Sequence, residues 1–175
     1  MGKPQEKKPR RENAAPQGGI DVYSSLLDSI TGSLADAAGQ SDAMDEAVRN
    51  AVRSAVERQD ALVLGAKAII VAVLKDTGAK SDAALQMLTR LSKSVLALTA
   101  TLDADLETCT KGMILGAIAS AKDHEMDRGR AATAIATGAL EAAREVGETV
   151  GDRLRTALKE PQAGVTIVLP EPTPR

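Results

Sequence analysis

"CTKGMILGAIASAKDHEMD" (residues 109–127) holds the chain's only Cys, its only His, and a Gly-x-x-x-Gly step inside an apolar run. It reads in three ways: as a chemical site, as a membrane-packing element, or as one helix of a bundle. Gly112-x-x-x-Gly116, followed by Ala117, Ala119 and Ala121, thins one flank of a helix. In lipid such a flank lets two helices approach closely. The run is shorter than the roughly 20 residues a spanning helix needs. Close contact inside a bundle is the reading adopted, with Gly112, Gly116 and Gly138 as packing-interface residues. Asp123, His124, Glu125 and Asp127 crowd what reads as a polar turn. A metal site would want a second His at helical spacing or a Cys-x-x-Cys pair, and neither exists. Cys109 has no local triad partner and reads as a small core hydrophobe.

Composition narrows the class. The 175 residues suit one domain. There is no Trp, no Phe and one Tyr, Tyr23, so the large anchors of most ligand pockets are missing. Leu, Val, Ile, Met and much Ala must build the core, and Ala with straight-chain residues favours helices. A net charge of −2 with 26% charged residues argues against a polyanion binder. A lone Cys excludes an internal disulfide framework and suits a reducing compartment. The basic N-terminus lacks the apolar stretch of a secretory signal. The longest apolar stretch, "ALVLGAKAIIVAVL" (61–74), is about 14 residues and includes Lys67, too short to span a bilayer. The expected location is cytoplasmic.

Outward from the opening stretch, the periodicity predicts an all-α antiparallel bundle of about five or six helices. Residues 1–19 combine Pro, Gly, Lys and Arg with little to bury and read as a disordered basic tail. Leu26, Leu27, Ile30 and Leu34 begin the helical domain, expected over 20–160. Met44, Val48, Val52 and Val56 recur every four residues against Asp45, Arg49, Arg53 and Glu57, an amphipathic pattern. It runs into the apolar stretch that Gly78 ends, and Ser81 or Asp82 can cap the next helix. Leu88, Leu91, Val95, Leu98 and Leu102 form a heptad seam two heptads long, which fits a bundle helix. A fourth helix comes next, over about 104–122. The last pattern starts near Arg128 and continues past Gly147 and Gly151 to Leu154, one long or kinked helix that Pro161 ends. Residues 161–175 read as an extended C-terminal tail. "LGAIASAKDHE" (115–125) and "TGALEAAREVG" (137–147) align at a shift of 22 residues, six turns of helix. The same face recurs, either along a rod or in successive hairpin helices.

Catalytic and nucleotide motifs are missing. "DTGAKSD" (76–82) lacks the glycine spacing of a phosphate loop and comes after a helix rather than a strand. One His leaves few candidates for a general base at neutral pH. Neither an enzyme, a cofactor nor a metal is expected. Lys7, Lys8, Arg10 and Arg11 form a basic cluster that could contact phosphates or anionic headgroups through screened electrostatics. Without aromatic partners it gives no sequence-specific readout, so nucleic acid is not the expected partner. Val165, Thr166, Ile167, Val168 and Leu169, between Gly164 and Pro170, are the one convincing β-prone run. In an all-α domain they either pack on the bundle or dock on the edge of a partner's sheet.

"ATAIATGALEAAREVGETV" (132–150), "LKEPQAGVTIVL" (158–169) and "TKGMILGAIASAKD" (110–123) resemble segments of Ala/Gly-rich helical repeat proteins found in bacteria. The resemblance implies a helical repeat fold without an assigned activity. A looser similarity, on Ala-rich helices plus a basic tail, is to phasins, the helical coat of polyester storage granules. The leading expectation is a non-enzymatic structural or protein-interaction module that forms a homo-oligomer and meets an unidentified protein partner. The alternative is an amphipathic coat on a lipid or granule surface, and a third is a nucleic-acid-associated protein acting through the basic cluster.

Overall fold

The computed structural model describes residues 18–36, 41–58 and 61–171, all helices and connections with no strand among them. Among the described residues seven helices are present: α1 (Gly18–Asp36), α2 (Ser41–Glu57), α3 (Leu62–Thr77), α4 (Ser81–Thr101), α5 (Leu106–Ser120), α6 (Arg128–Val146) and α7 (Glu148–Ala157). Two breaks account for the excess over five or six. The first parts α2, which ends at Glu57 with a charged face, from α3, which starts at Leu62 and is enclosed on nearly every side. The second is at Gly147, whose extended backbone (φ 170, ψ 151) turns α7 away from α6.

Helix ends obey local chemistry. Gly78 adopts the left-handed conformation (φ 58) and returns its N–H to Leu74 O, the glycine C-cap. Asp105 accepts from the N–H groups of Glu107 and Thr108, and Asp127 from that of Arg130, satisfying donors the first turn leaves open. The start of α4 is different. Lys80 occupies the N-cap without a side-chain bond, and Ser81, at φ 51, is the first helical residue. Its N–H is instead bonded at 2.9 Å to His124 O in the α5–α6 turn. His124 Nδ1 lies 2.7 Å from Ala79 O, and Lys80 meets Glu125 at 2.8 Å. The α3–α4 and α5–α6 turns therefore sit together at one end.

That arrangement makes α3 and α5 run in one direction and α4 and α6 in the other. Packing is tightest within those parallel pairs, α3 with α5 and α4 with α6, rather than between helices consecutive in the chain. α5 and α6 also pack together, α1 lies on α3, and α2 spans α3 and α4. The glycines show why. A Cβ at Gly116 would lie 2.7 Å from Lys67 O and 3.0 Å from Ile70 Cβ, one at Gly112 would meet Val63 O and Ala66, and one at Gly138 would meet Thr89 O and Ser92 Oγ. Each glycine faces a carbonyl 49 residues upstream (63 and 112, 67 and 116, 89 and 138). At such distances the glycine Cα–H points at the carbonyl oxygen, a weak attraction added to close dispersion contact. The 22-residue step between Gly116 and Gly138 also separates Lys67 from Thr89, so equivalent contacts fall on successive helices rather than along one rod.

The chain after α7 folds back. Ala163 (φ 48) and Gly164 (φ 74) make a two-residue turn, closed by reciprocal N–H···O bonds of 3.0 and 2.9 Å between Gln162 and Val165. Positive φ at both central residues marks a type I′ turn. The residues after it alternate: Ile167 is buried, Thr166 and Val168 face outward, and Val165 and Leu169 pack partly on the core. The expected extended tail is therefore packed on the bundle as far as Leu169.

Candidate functional site

The outer face of α4 borders a groove whose lining is mainly apolar or uncharged. Ala84, Leu88, Ser92, Val95, Leu96 and Thr99 are buried, and Gly138 of α6 abuts this side at Thr89 and Ser92. That commitment splits the predicted heptad seam. Leu88 and Val95 enter the core, while Leu91, Leu98 and Leu102 pack only partly against it. Met87, Leu91 and Leu98, with Val48 of α2 and Val73 of α3, line a groove of about 510 Å³ between α2 and α4. Beside it Ser94, Ala97 and Thr101 are exposed, so about two turns of α4 meet solvent with small uncharged side chains.

Charges gather at the rim. Asp45 and Arg49 of α2 and Arg90 of α4 border the groove, and Arg49 pairs with Glu46 at 3.1 Å. Among the described residues Arg90 has no ion-pair partner. On the opposite flank of α4, Lys93 reaches Glu145 at 2.7 Å and Glu141 at 3.7 Å, and Arg130 meets Asp82 at 2.8 Å, tying α4 to α6. Surface pairs of this kind contribute about 0–1 kcal/mol each. They orient the helices more than they stabilise them.

The other sequence candidates fall elsewhere. Lys7, Lys8, Arg10 and Arg11 lie outside the described residues. Gly112 and Gly116 face α3 and Gly138 faces α4, all inside the bundle. Ile167 of the β-prone run is buried, Val168 is 73% exposed, and the only bridge nearby is the Gln162–Val165 turn. The Val168 N–H donates to Thr133 Oγ1 at 3.2 Å and Arg155 donates to Pro170 O at 2.5 Å, fastening the run to α6 and α7. Cys109 is buried beside Thr99 Oγ1 at 3.4 Å, and burial pushes its thiol up from 9.0 to about 11. A thiol so protonated is a poor nucleophile. Asp105 is held below the usual carboxylate range. Burial alone would raise it, but hydrogen bonds from Thr108 and Glu107 outweigh that. Among the described residues no three His, Cys, Asp or Glu side chains converge on a metal position, and no helix is long and apolar enough to cross a membrane.

Sequence reasoning treated the α4 seam as one continuous buried stripe and missed the groove. The missed signal is the row Arg90, Ser94, Ala97, Thr101, which contains no large polar residue after Arg90, unlike the charged outer faces of α2 and α6. No protein-family model, curated protein or solved structure matches the chain.

Proposed function

We propose that the chain is a non-enzymatic helical interaction module that self-associates through the outer face of α4 and the adjoining groove. The observation that carries this reading is the partly buried row Met87, Leu91 and Leu98 beside exposed, uncharged Ser94, Ala97 and Thr101. Two α4 helices crossing antiparallel at Ser94 bring Leu91 against Leu98 of the partner subunit, with small residues at the point of closest approach. The rim carries both signs, Asp45 against Arg49 and Arg90, which is what a contact between identical surfaces needs.

Sedimentation equilibrium over a hundredfold concentration range tests the proposal, with Ser94→Glu as the variant. Ser94 is exposed, so far-UV circular dichroism should not change, while the two-fold contact would oppose two carboxylates. A concentration-dependent dimer that Ser94→Glu converts to monomer is expected. A monomer at every concentration, or a dimer indifferent to the substitution, overturns the reading.

A surface coat is the second reading. What favours it is that amphipathic α1 and α2 cover apolar α3 and would free it by lifting. Against anionic headgroups α1 is unsuited, since it contains three Asp and neither Lys nor Arg. Vesicle flotation with neutral and anionic lipid decides: sedimentation of the protein away from both excludes the coat.

A further inference from the structure

The last helix packs on α6 and reaches the start of α5 through an Arg153–Glu107 ion pair of 3.7 Å, while a single hydrogen bond, Arg155 to Pro170 O, joins it to the segment after it. Gly147 breaks the helical path, yet its N–H still bonds Ala143 O and its O accepts from Gly151 N–H, each at 3.0 Å. Beyond it α7 buries only Gly151 and Leu154, with Leu158 just past its end. The Ala163–Gly164 turn then reverses the chain, and Arg155 of α7 grips Pro170 O across the hairpin. On the bundle side the returning segment is held by Ile167 in the core, by Val165 and Leu169 packed partly against it, and by the Val168 N–H on Thr133 Oγ1.

We propose that residues 147–170 are a hinged clasp, a single unit that opens from the bundle about Gly147 while α3–α6 stay folded. The closing bond Arg155–Pro170 makes α7 and the returning segment move together. The small number of buried anchors, Leu154, Leu158 and Ile167, makes that motion less costly than unfolding the glycine-packed helices. Local opening of this kind belongs to segments with few buried apolar contacts. In the open form those three apolar side chains face solvent, Leu154 and Leu158 near the start of α5, and the Val165–Leu169 run is freed from beside Thr133 of α6.

Native-state hydrogen exchange on the full chain, read residue by residue by NMR, tests this. A ten-residue helix parted from the bundle is too short to hold its own hydrogen bonds, so after correction for intrinsic rates the Gly151, Leu158 and Val168 amides should share one opening equilibrium, populated well above that of the Cys109 amide in α5. Thr133→Val removes the acceptor of the Val168 N–H while keeping the side-chain shape. It should speed exchange at Gly151 and Leu158 as well as at Val168, by roughly tenfold, the loss of one hydrogen bond. Arg155→Met, which keeps the stem but not the guanidinium, should uncouple Val168 from the α7 amides. Acceleration confined to Val168 in Thr133→Val overturns the proposal, as do α7 amides that exchange only with global unfolding.

Discussion

Substituting Gly138 by Ala tests the packing scheme most sharply, because two large effects oppose each other. In a helix interior Ala is better than Gly by about 0.8–1.0 kcal/mol. Gly32, in the middle of α1, has nothing within 4 Å of an added Cβ, so Gly32→Ala should show that gain alone. At Gly138 the same methyl is driven into Thr89 O and Ser92 Oγ. Ordinary C···O contact is about 3.3–3.6 Å, so α4 and α6 must part along a stripe of Ala and Leu chosen for closeness. A gap of about 0.5–1 Å forfeits a quarter to a half of each dispersion contact along it. Overpacking of this kind costs about 1–3 kcal/mol, and the backbone clash puts Gly138 at the upper end. The net is a loss of about 2 kcal/mol, or a fall in Tm of roughly 4–8 °C for a chain of this length.

Gly112→Ala should be next, because Val63 O and Ala66 Cβ are both too close, and Gly116→Ala mildest, with Lys67 O at 2.7 Å and Ile70 Cβ at 3.0 Å. Equilibrium urea unfolding monitored by circular dichroism reads all four through the midpoint at constant slope. The order should be Gly138, Gly112, Gly116, then wild type, with Gly32→Ala above it. Stabilisation by Gly138→Ala would refute the close α4–α6 approach.

Three further outcomes rest on single side chains. The Cys109 thiol, raised from 9.0 to about 11 by burial, contributes stability that is full below pH 9 and lost as pH rises through 11, about 2–3 kcal/mol in all. Cys109→Ala should flatten that alkaline limb in urea titrations, and the native wild type should resist thiol reagents until it unfolds. Asp105, depressed by the hydrogen bonds it accepts, contributes stability present above the ordinary carboxylate pKa and lost as pH falls through its lowered value. Asp105→Asn, which still caps, should remove that acid dependence, and Asp105→Ala should cost about 1 kcal/mol at neutral pH. Ala163 holds φ 48 in a type I′ turn, where Asn-Gly is preferred. Ala163→Asn should therefore raise stability by about 0.5–1 kcal/mol, read as a higher urea midpoint.

Much of the helical content is a local property and was legible. Gly78 as a stop and the turn over "DHEMD" depend on residues within a few positions of one another. So does the solvated face of α2, where charges recur at helical spacing. Ser81 or Asp82, however, expected to cap α4, gives way to Lys80 as N-cap, and the caps at Asp105 and Asp127 were not anticipated. The groove on α4 was not legible, because Leu88 and Leu91 look alike in sequence and differ only in which neighbour reaches them.

By itself, then, the sequence determined that the chain is helical, where most helices start and stop, and which flanks are thin enough for close approach. Tertiary structure alone decided that Gly112 and Gly116 meet α3 while Gly138 meets α4. It also decided that α2 parts from α3, that α7 turns at Gly147, and that Ile167 folds back into the core. The reason is one of range. Caps and periodicity act within a turn or two of helix, whereas a carbonyl that receives a glycine lies 49 residues away (67 and 116), and only the simultaneous packing of all helices selects it.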